Sequence, residues 1–172
     1  MPPVDHWAHK PIDWAVSTGV TAGTSANSFS PDAFCTRAQV MTFLWRAAGS
    51  PAPGTGESPF TDVAEDAYYR NAVLWAVENG ITAGSSETTF SPGWSCTRAQ
   101  VMTFLWRAAG SPAPGTGENP FTDVAEDAYY RNAVLWAAEN GITAGTSETT
   151  FSPDSFCTRA QVVTFLFRAF VR

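Results

Sequence analysis

Apolar positions along the chain recur in two helical patterns that alternate. Tyr69, Ala72, Val73 and Ala76 fall at i, i+3, i+4 and i+7, the stripe of a short amphipathic helix. Asp66 is a candidate N-cap for it. Asn79-Gly80-Ile81 is a stop signal, with glycine as the left-handed residue and an apolar residue after it to fold back on the last turn. A second stripe, Val101, Phe104, Leu105 and Ala108, predicts a helix from Arg98 to about Ala109. Met102 and Trp106 make its other side apolar too, so this helix is expected to be buried on most sides. Between the two helices lies a Gly/Ser/Thr-rich loop, Thr82 to Ser95. Loops of that length without secondary structure are usually functional.

The whole pattern occurs three times at a spacing of 61 residues. Cys-Thr-Arg-Ala-Gln stands at 35–39, 96–100 and 157–161. Residues 60–107 and 121–168 differ only at positions 77, 85, 93, 94, 95, 102 and 106 of the earlier copy. The first copy is more divergent, with its helix read over Trp7–Thr18, Pro11 near the start and Gly19-Val20 closing it. The copies span about 1–50, 60–110 and 121–172, with Pro/Gly linkers at 49–59 and 110–120. Two short helices cannot bury their own apolar faces, whereas three packed copies can. The expected fold is therefore all-α: three helix-loop-helix repeats in one module, arranged as a pseudo-threefold bundle with a central three-helix core. Phe60-Thr61-Asp62-Val63 and Phe121-Thr122-Asp123-Val124 read as extended clips onto a neighbouring copy. The first copy lacks the clip, since Met1 stands where Asp62 would be, so one groove is expected to be incomplete.

Composition narrows the function. Charged residues make up 15% of the chain and the net charge is −6. An acidic protein of this kind fits neither nucleic-acid binding nor a polybasic membrane surface. No stretch is long and apolar enough to span a membrane. The first residues lack the basic and apolar regions of a signal peptide, which leaves the compartment open. Of ten basic residues only Lys10 is a lysine, and arginine suits planar carboxylate or phosphate recognition. The three cysteines, Cys35, Cys96 and Cys157, show no metal-ligand spacing and read as small buried residues.

Chemistry concentrates where the second helix of each copy begins. Thr36/Gln39, Thr97/Gln100 and Thr158/Gln161 are capping boxes. Arg37, Arg98 and Arg159 then occupy the first helical position, where the helix dipole disfavours a cation. A helix N-terminus with an arginine beside it is a candidate anion site. The structural alternative is an ion pair to a carboxylate such as Asp32 or Asp154. Trp7, Tyr68 and Tyr129 align with one another and suit either sugar stacking or core packing. The acidic cluster Asp62, Glu65, Asp66, with its twin Asp123, Glu126, Asp127, reads better as turn and cap residues than as a calcium loop. His6 and His9 have no equivalents in the other copies. No carboxylate pair, nucleophile motif or phosphate loop stands out, so neither an enzyme nor a cofactor is expected.

Phe-Thr-Asp-Val, Tyr-Tyr-Arg-Asn-Ala-Val-Leu-Trp-Ala, Asn-Gly-Ile-Thr-Ala-Gly, Thr-Phe-Ser-Pro and Cys-Thr-Arg-Ala-Gln, in that order, closely resemble the S-layer homology (SLH) domain. Asp5-His6-Trp7-Ala8 matches the family's usual opening. The resemblance implies a module, monomeric with internal pseudo-threefold symmetry, that anchors bacterial surface proteins to the cell wall. The ligand it implies is a secondary cell-wall polysaccharide, often pyruvylated, held in grooves between repeats. It assigns ligand contact to Arg37, Arg98 and Arg159. Gly23, Gly84 and Gly145 would permit close approach of backbone to ligand. Trp7, Tyr68, Tyr129, Gln39, Gln100 and Gln161 complete the candidate set. Glutamine stands where the family commonly has glutamate, and cysteine where it commonly has Ile or Val. The alternative is an oligomerisation module that binds proteins through an apolar patch around Trp45 and Trp106.

Overall fold

The computed structural model describes residues 3–171. Six helices form: α1 (His9–Ser17), α2 (Arg37–Ala47), α3 (Arg70–Glu78), α4 (Arg98–Ala108), α5 (Arg131–Glu139) and α6 (Arg159–Phe170). Among the described residues there are isolated β-bridges but no strand, so the fold is all-α.

The starts of α2, α4 and α6 are set locally. Gln39 N–H donates to Thr36 Oγ1 at 3.2 Å, and Thr36 N–H donates to Gln39 Oε1 at 3.0 Å. Thr97/Gln100 and Thr158/Gln161 form the same box. The stops of the first helices are also as read. Gly80 adopts φ 68°, its N–H donates to Val77 O, and Ile81 N–H reaches back to Ala76 O at 2.8 Å. This is the paired hydrogen-bond motif that a left-handed glycine permits. Their starts differ from expectation. α3 begins at Arg70, with Tyr69 at the N-cap position and no side-chain cap. Asp66 lies in a turn before it, where Ala67 N–H and Arg70 N–H already donate to Ala64 O and Ala67 O. α1 likewise begins at His9, not Trp7.

Packing crosses from copy to copy. α3 packs on α2, α5 on α4, and α1 on α6, so the first helix of each copy lies against the second helix of the preceding one. α6 also packs on both α2 and α4. The faces of α2, α4 and α6 are buried through Val40, Met41, Phe43, Leu44 and their equivalents. Just before these helices the chain forms a ring. Cys96 N–H donates to Cys35 O at 3.0 Å, Cys157 N–H to Cys96 O at 2.9 Å, and Cys35 N–H to Cys157 O at 2.9 Å. The three thiols are buried and unpaired.

The linkers are fastened rather than free spacers. Trp45 Nε1 donates to Pro51 O at 2.8 Å, and the Glu78 carboxylate accepts from the N–H groups of Gly54 and Thr55 at 2.9 and 2.8 Å. Trp106 and Glu139 do the same for the second linker. The Phe-Thr-Asp-Val segments hold their own copy's loop, not a neighbour's. Asp62 accepts from Phe90 and Ser91 N–H, both at 2.8 Å, and Asp123 accepts from Phe151 and Ser152 N–H. Short-range closure explains the choice, because each loop follows its clip by fewer than thirty residues in the same copy. Met1, which stands where the first copy's aspartate would be, lies outside the described residues.

Candidate functional site

The loop preceding each central helix delivers a buried phenylalanine, Phe29, Phe90 or Phe151, and then turns through a serine at positive φ. Its backbone meets the helix start of the preceding copy. Arg37 N–H donates to Trp94 O at 2.8 Å and Ala38 N–H to Pro92 O at 3.1 Å. Arg98 and Ala99 use Ser155 O and Pro153 O, and Arg159 and Ala160 use Ala33 O and Pro31 O. With the third N–H taken by the capping threonine, the helix N-termini have no donors left for an anion. The expectation of a helix-terminus anion site is corrected here: the neighbouring loop fills it.

The arginine side chains cross the same boundary. Arg37 Nε donates to Phe90 O at 2.8 Å, Arg98 Nε to Phe151 O at 2.7 Å, and Arg159 Nε to Phe29 O at 2.9 Å. Each guanidinium lies between two rings of the next copy. Arg37 Cζ is 4.8 Å from the Phe90 centroid and 5.6 Å from that of Phe104. Phe151 and Phe165 flank Arg98, and Phe29 and Phe43 flank Arg159. Each arginine is only 4% exposed. Among the described residues the one ion pair is His9–Asp13, so neither Asp32 nor Asp154 neutralises these cations. Burial lowers the guanidinium pKa values, a loss that arginine tolerates without giving up its charge. Arg37 Nη2 is buried with no hydrogen-bond partner.

Two equivalent cavities open beside these cations. One, of about 240 Å³, is lined by Arg37 of the first copy, Gly84, Gln100 and Arg107 of the second, and Tyr129 of the third. The other, of about 210 Å³, is lined by Arg98, then Gly145, Gln161 and Arg168, then Trp7. Eight of the twelve candidate residues thus meet in two places, each drawing on all three copies. The remaining four, Arg159, Gly23, Gln39 and Tyr68, are the matching set at the third boundary. There Arg159 Nη2 donates to Thr21 Oγ1 at 3.5 Å, and Gly23 N–H donates to the same hydroxyl at 3.1 Å. Burial raises the Tyr68 phenol pKa, while Arg46 and Arg159 act to lower it.

Details of role differ from expectation. A Cβ on Gly84 would meet Thr89 O and the Phe60 ring at 2.5 Å, and one on Gly145 would meet Thr150 O at 2.5 Å. These glycines close their own loops, at φ 90° and 82°, before they line a cavity. The glutamines are caps whose Oε1 atoms are committed to Thr36, Thr97 and Thr158 N–H. Trp7, Tyr68 and Tyr129 are exposed rather than core residues.

The sequence reading missed further residues. Arg107 and Arg168 share the two cavities, and Arg46 is their counterpart; their Nη1 atoms donate to Ile81 O, Ile142 O and Val20 O. Thr82, Thr103, Thr143 and Thr164 line the same walls. Their recurrence at 61-residue spacing was the available signal, shared with every structural position of the repeat. Neither cavity contains a lining carboxylate, so each presents two guanidinium groups. Among the described residues there is no group of three or more His, Cys, Asp or Glu that could hold a metal ion. Among the described residues no helix is long and apolar enough to cross a membrane.

The chain is thus a helical repeat protein whose clefts combine paired cations, hydroxyls and an exposed aromatic. Residues 1–41, 59–102 and 120–163 match the S-layer homology domain, and the chain belongs to that family. It is 34% identical over 103 residues to the surface-layer 125 kDa protein of Lysinibacillus sphaericus, covering 60% of the chain and 9% of that protein. It is 34% identical over 112 residues to an endoglucanase of Bacillus sp. strain KSM-635, covering 65% and 12%. To the S-layer protein of Bacillus thuringiensis subsp. finitimus it is 23% identical over 166 residues, covering 95% and 20%. The chain spans about a tenth to a fifth of the length of these relatives. Family and relatives together place it at the bacterial cell surface or cell wall.

Proposed function

We propose that this chain is a non-covalent cell-wall anchor, binding an anionic, pyruvylated secondary cell-wall polysaccharide in grooves between its three copies. The module is a monomeric pseudo-threefold bundle of three helix-loop-helix repeats around a core of α2, α4 and α6. The hydrogen-bond ring through Cys35, Cys96 and Cys157 and the copy-to-copy arginine contacts support that arrangement. The observation that carries the binding role is the buried, unpartnered Arg37 Nη2 in a cavity that holds a second arginine and no carboxylate. A carboxylate entering there supplies the missing acceptor and neutralises charge in a partly desolvated site. Arg37, Arg98 and Arg159 meet the carboxylate, with Arg107, Arg168 and Arg46 across the groove. Thr82 and Thr103, with their equivalents, offer hydroxyls. Tyr129, Trp7 and Tyr68 offer ring faces to sugar. Gln100 and its equivalents contribute through their NH₂ groups.

The test is equilibrium binding to purified cell-wall polymer, with and without acid removal of its pyruvyl groups. The triple variant Arg37→Ala, Arg98→Ala, Arg159→Ala is expected to lose retention, as is wild type on stripped polymer. Arg107→Ala with Arg168→Ala, at a half-buried and an exposed position, gives the same direction without disturbing the core. Full retention in both variants ends the proposal. The protein-binding alternative fares worse at its stated location. Trp45 and Trp106 are partly buried and their indole N–H groups are already bonded to Pro51 O and Pro112 O.

A further inference from the structure

The exposed apolar surface lies elsewhere, at the ring through Cys35, Cys96 and Cys157. Phe34, Trp94 and Phe156 are 58%, 65% and 48% exposed. Phe34 and Phe156 are in edge contact, their centroids 5.7 Å apart. Phe34 pairs with Thr158, Phe156 with Thr97, and Ser95, beside Trp94, with Thr36, so all three aromatics stand on neighbouring backbone segments. This is also where the copies depart from one another. Of the seven differences between the two later copies, three are the consecutive positions 93, 94 and 95. The grooves do not use these residues.

We infer that Phe34, Phe156 and Trp94 form a second saccharide contact, a stacking platform for the face of a neutral pyranose unit of the wall polymer. Area argues against a second copy of the chain. At these exposures three aromatic side chains offer roughly 250–400 Å², against about 800 Å² per partner in a standard stable interface. Charge argues against an anionic unit. Asp32 and Asp154, both exposed and in no ion pair among the described residues, stand two positions before Phe34 and Phe156 in the chain. They repel an anionic sugar and a second acidic copy, but accept hydrogen bonds from neutral sugar hydroxyls. The platform is continuous with the grooves. Trp94 O accepts Arg37 N–H, and Ser155 O, next to Phe156, accepts Arg98 N–H. A polymer held by its charged unit in a groove therefore has this face beside it. The inference rests on the glycan reading of the grooves.

The copies themselves supply mild test substitutions. Serine occupies position 95, the equivalent of 34 and 156, and position 155, the equivalent of 94. The variant Phe34→Ser, Trp94→Ser, Phe156→Ser is compared with wild type for binding to purified wall polysaccharide, to chitotetraose as a neutral oligosaccharide, and to a pyruvylated N-acetylhexosamine methyl glycoside. Expected results are a roughly tenfold weaker grip on the polymer, loss of chitotetraose-induced tryptophan fluorescence change, and unchanged binding of the charged monosaccharide. Equal polymer and chitotetraose binding by both proteins overturns the platform. So does light scattering that shows a wild-type dimer and a monomeric variant, which assigns the patch to self-association. Failure of wild type to bind the charged monosaccharide while the variant still loses chitotetraose overturns the groove reading alone.

Discussion

The two ends of each central helix carry an arginine in contrasting surroundings. At the entrance, Arg98 is 4% exposed, lies between Phe151 and Phe165, and has Nε bonded to Phe151 O. One residue before the exit, Arg107 is half-buried and bonds through Nη1 to Ile81 O of its own copy. The entrance arginine belongs to the joint between copies. The exit arginine belongs to the wall of a single copy. In the proposed reading the first is a buried, oriented fork and the second a more open charge, held by one carbonyl, that adds attraction. A cavity that draws one cation from each of two copies exists only when the copies are docked.

The contrast is sharpest if the joint itself is cut. Phe151→Ala removes a fully buried ring and one face of the Arg98 sandwich, and is expected to cost about 3–5 kcal/mol in urea denaturation. Arg98→Ala deletes a charge-assisted hydrogen bond to a buried carbonyl, with an expected cost of about 2 kcal/mol together with loss of its groove. Thr97→Ala takes away half of a capping box, for about 1 kcal/mol, and leaves ligand affinity within a few-fold. Arg107→Ala is expected to cost only about 0.5–1 kcal/mol, the worth of one partly exposed hydrogen bond, while weakening polymer binding. A large stability loss in Arg107→Ala, or none in Arg98→Ala, would break the distinction between joint and wall.

The smallest effect at neutral pH comes from the thiols behind the entrances. Burial pushes Cys35 and Cys157 up to about 12 and raises Cys96 as well. Unfolded thiols lose their protons near pH 8.5. Above that value the folded chain holds more protons than the unfolded one, so stability falls as pH rises from about 8.5 toward 12. Cys35→Val with Cys96→Val and Cys157→Val is expected to flatten that fall, read as urea midpoints at pH 7 and pH 10, with little change at pH 7.

Local chemistry was legible without coordinates wherever it depended on residues a few positions apart. The capping boxes at Thr36, Thr97 and Thr158, the Gly80 stop and the helical stripes all involve hydrogen bonds or packing within one or two turns. The repeat spacing also aligned the candidate residues correctly with one another. The Asp66 cap was misread because two four-residue turns, closed by Ala67 N–H to Ala64 O and Arg70 N–H to Ala67 O, delay the helix start to Arg70.

Three identical stripes cannot say whose stripe each one meets. Only the tertiary structure decided that α3 lies on α2 rather than on α4, that Arg37 reaches Phe90, and that the helix N-termini are closed by a neighbour's carbonyls. The sequence by itself determined the helices, their caps and the placement of a cation at each entrance, since these follow from short-range backbone geometry. Docking between copies determined that the cation is buried, stacked and set in a cleft beside a second arginine, because burial and charge pairing depend on residues 53 or more positions away.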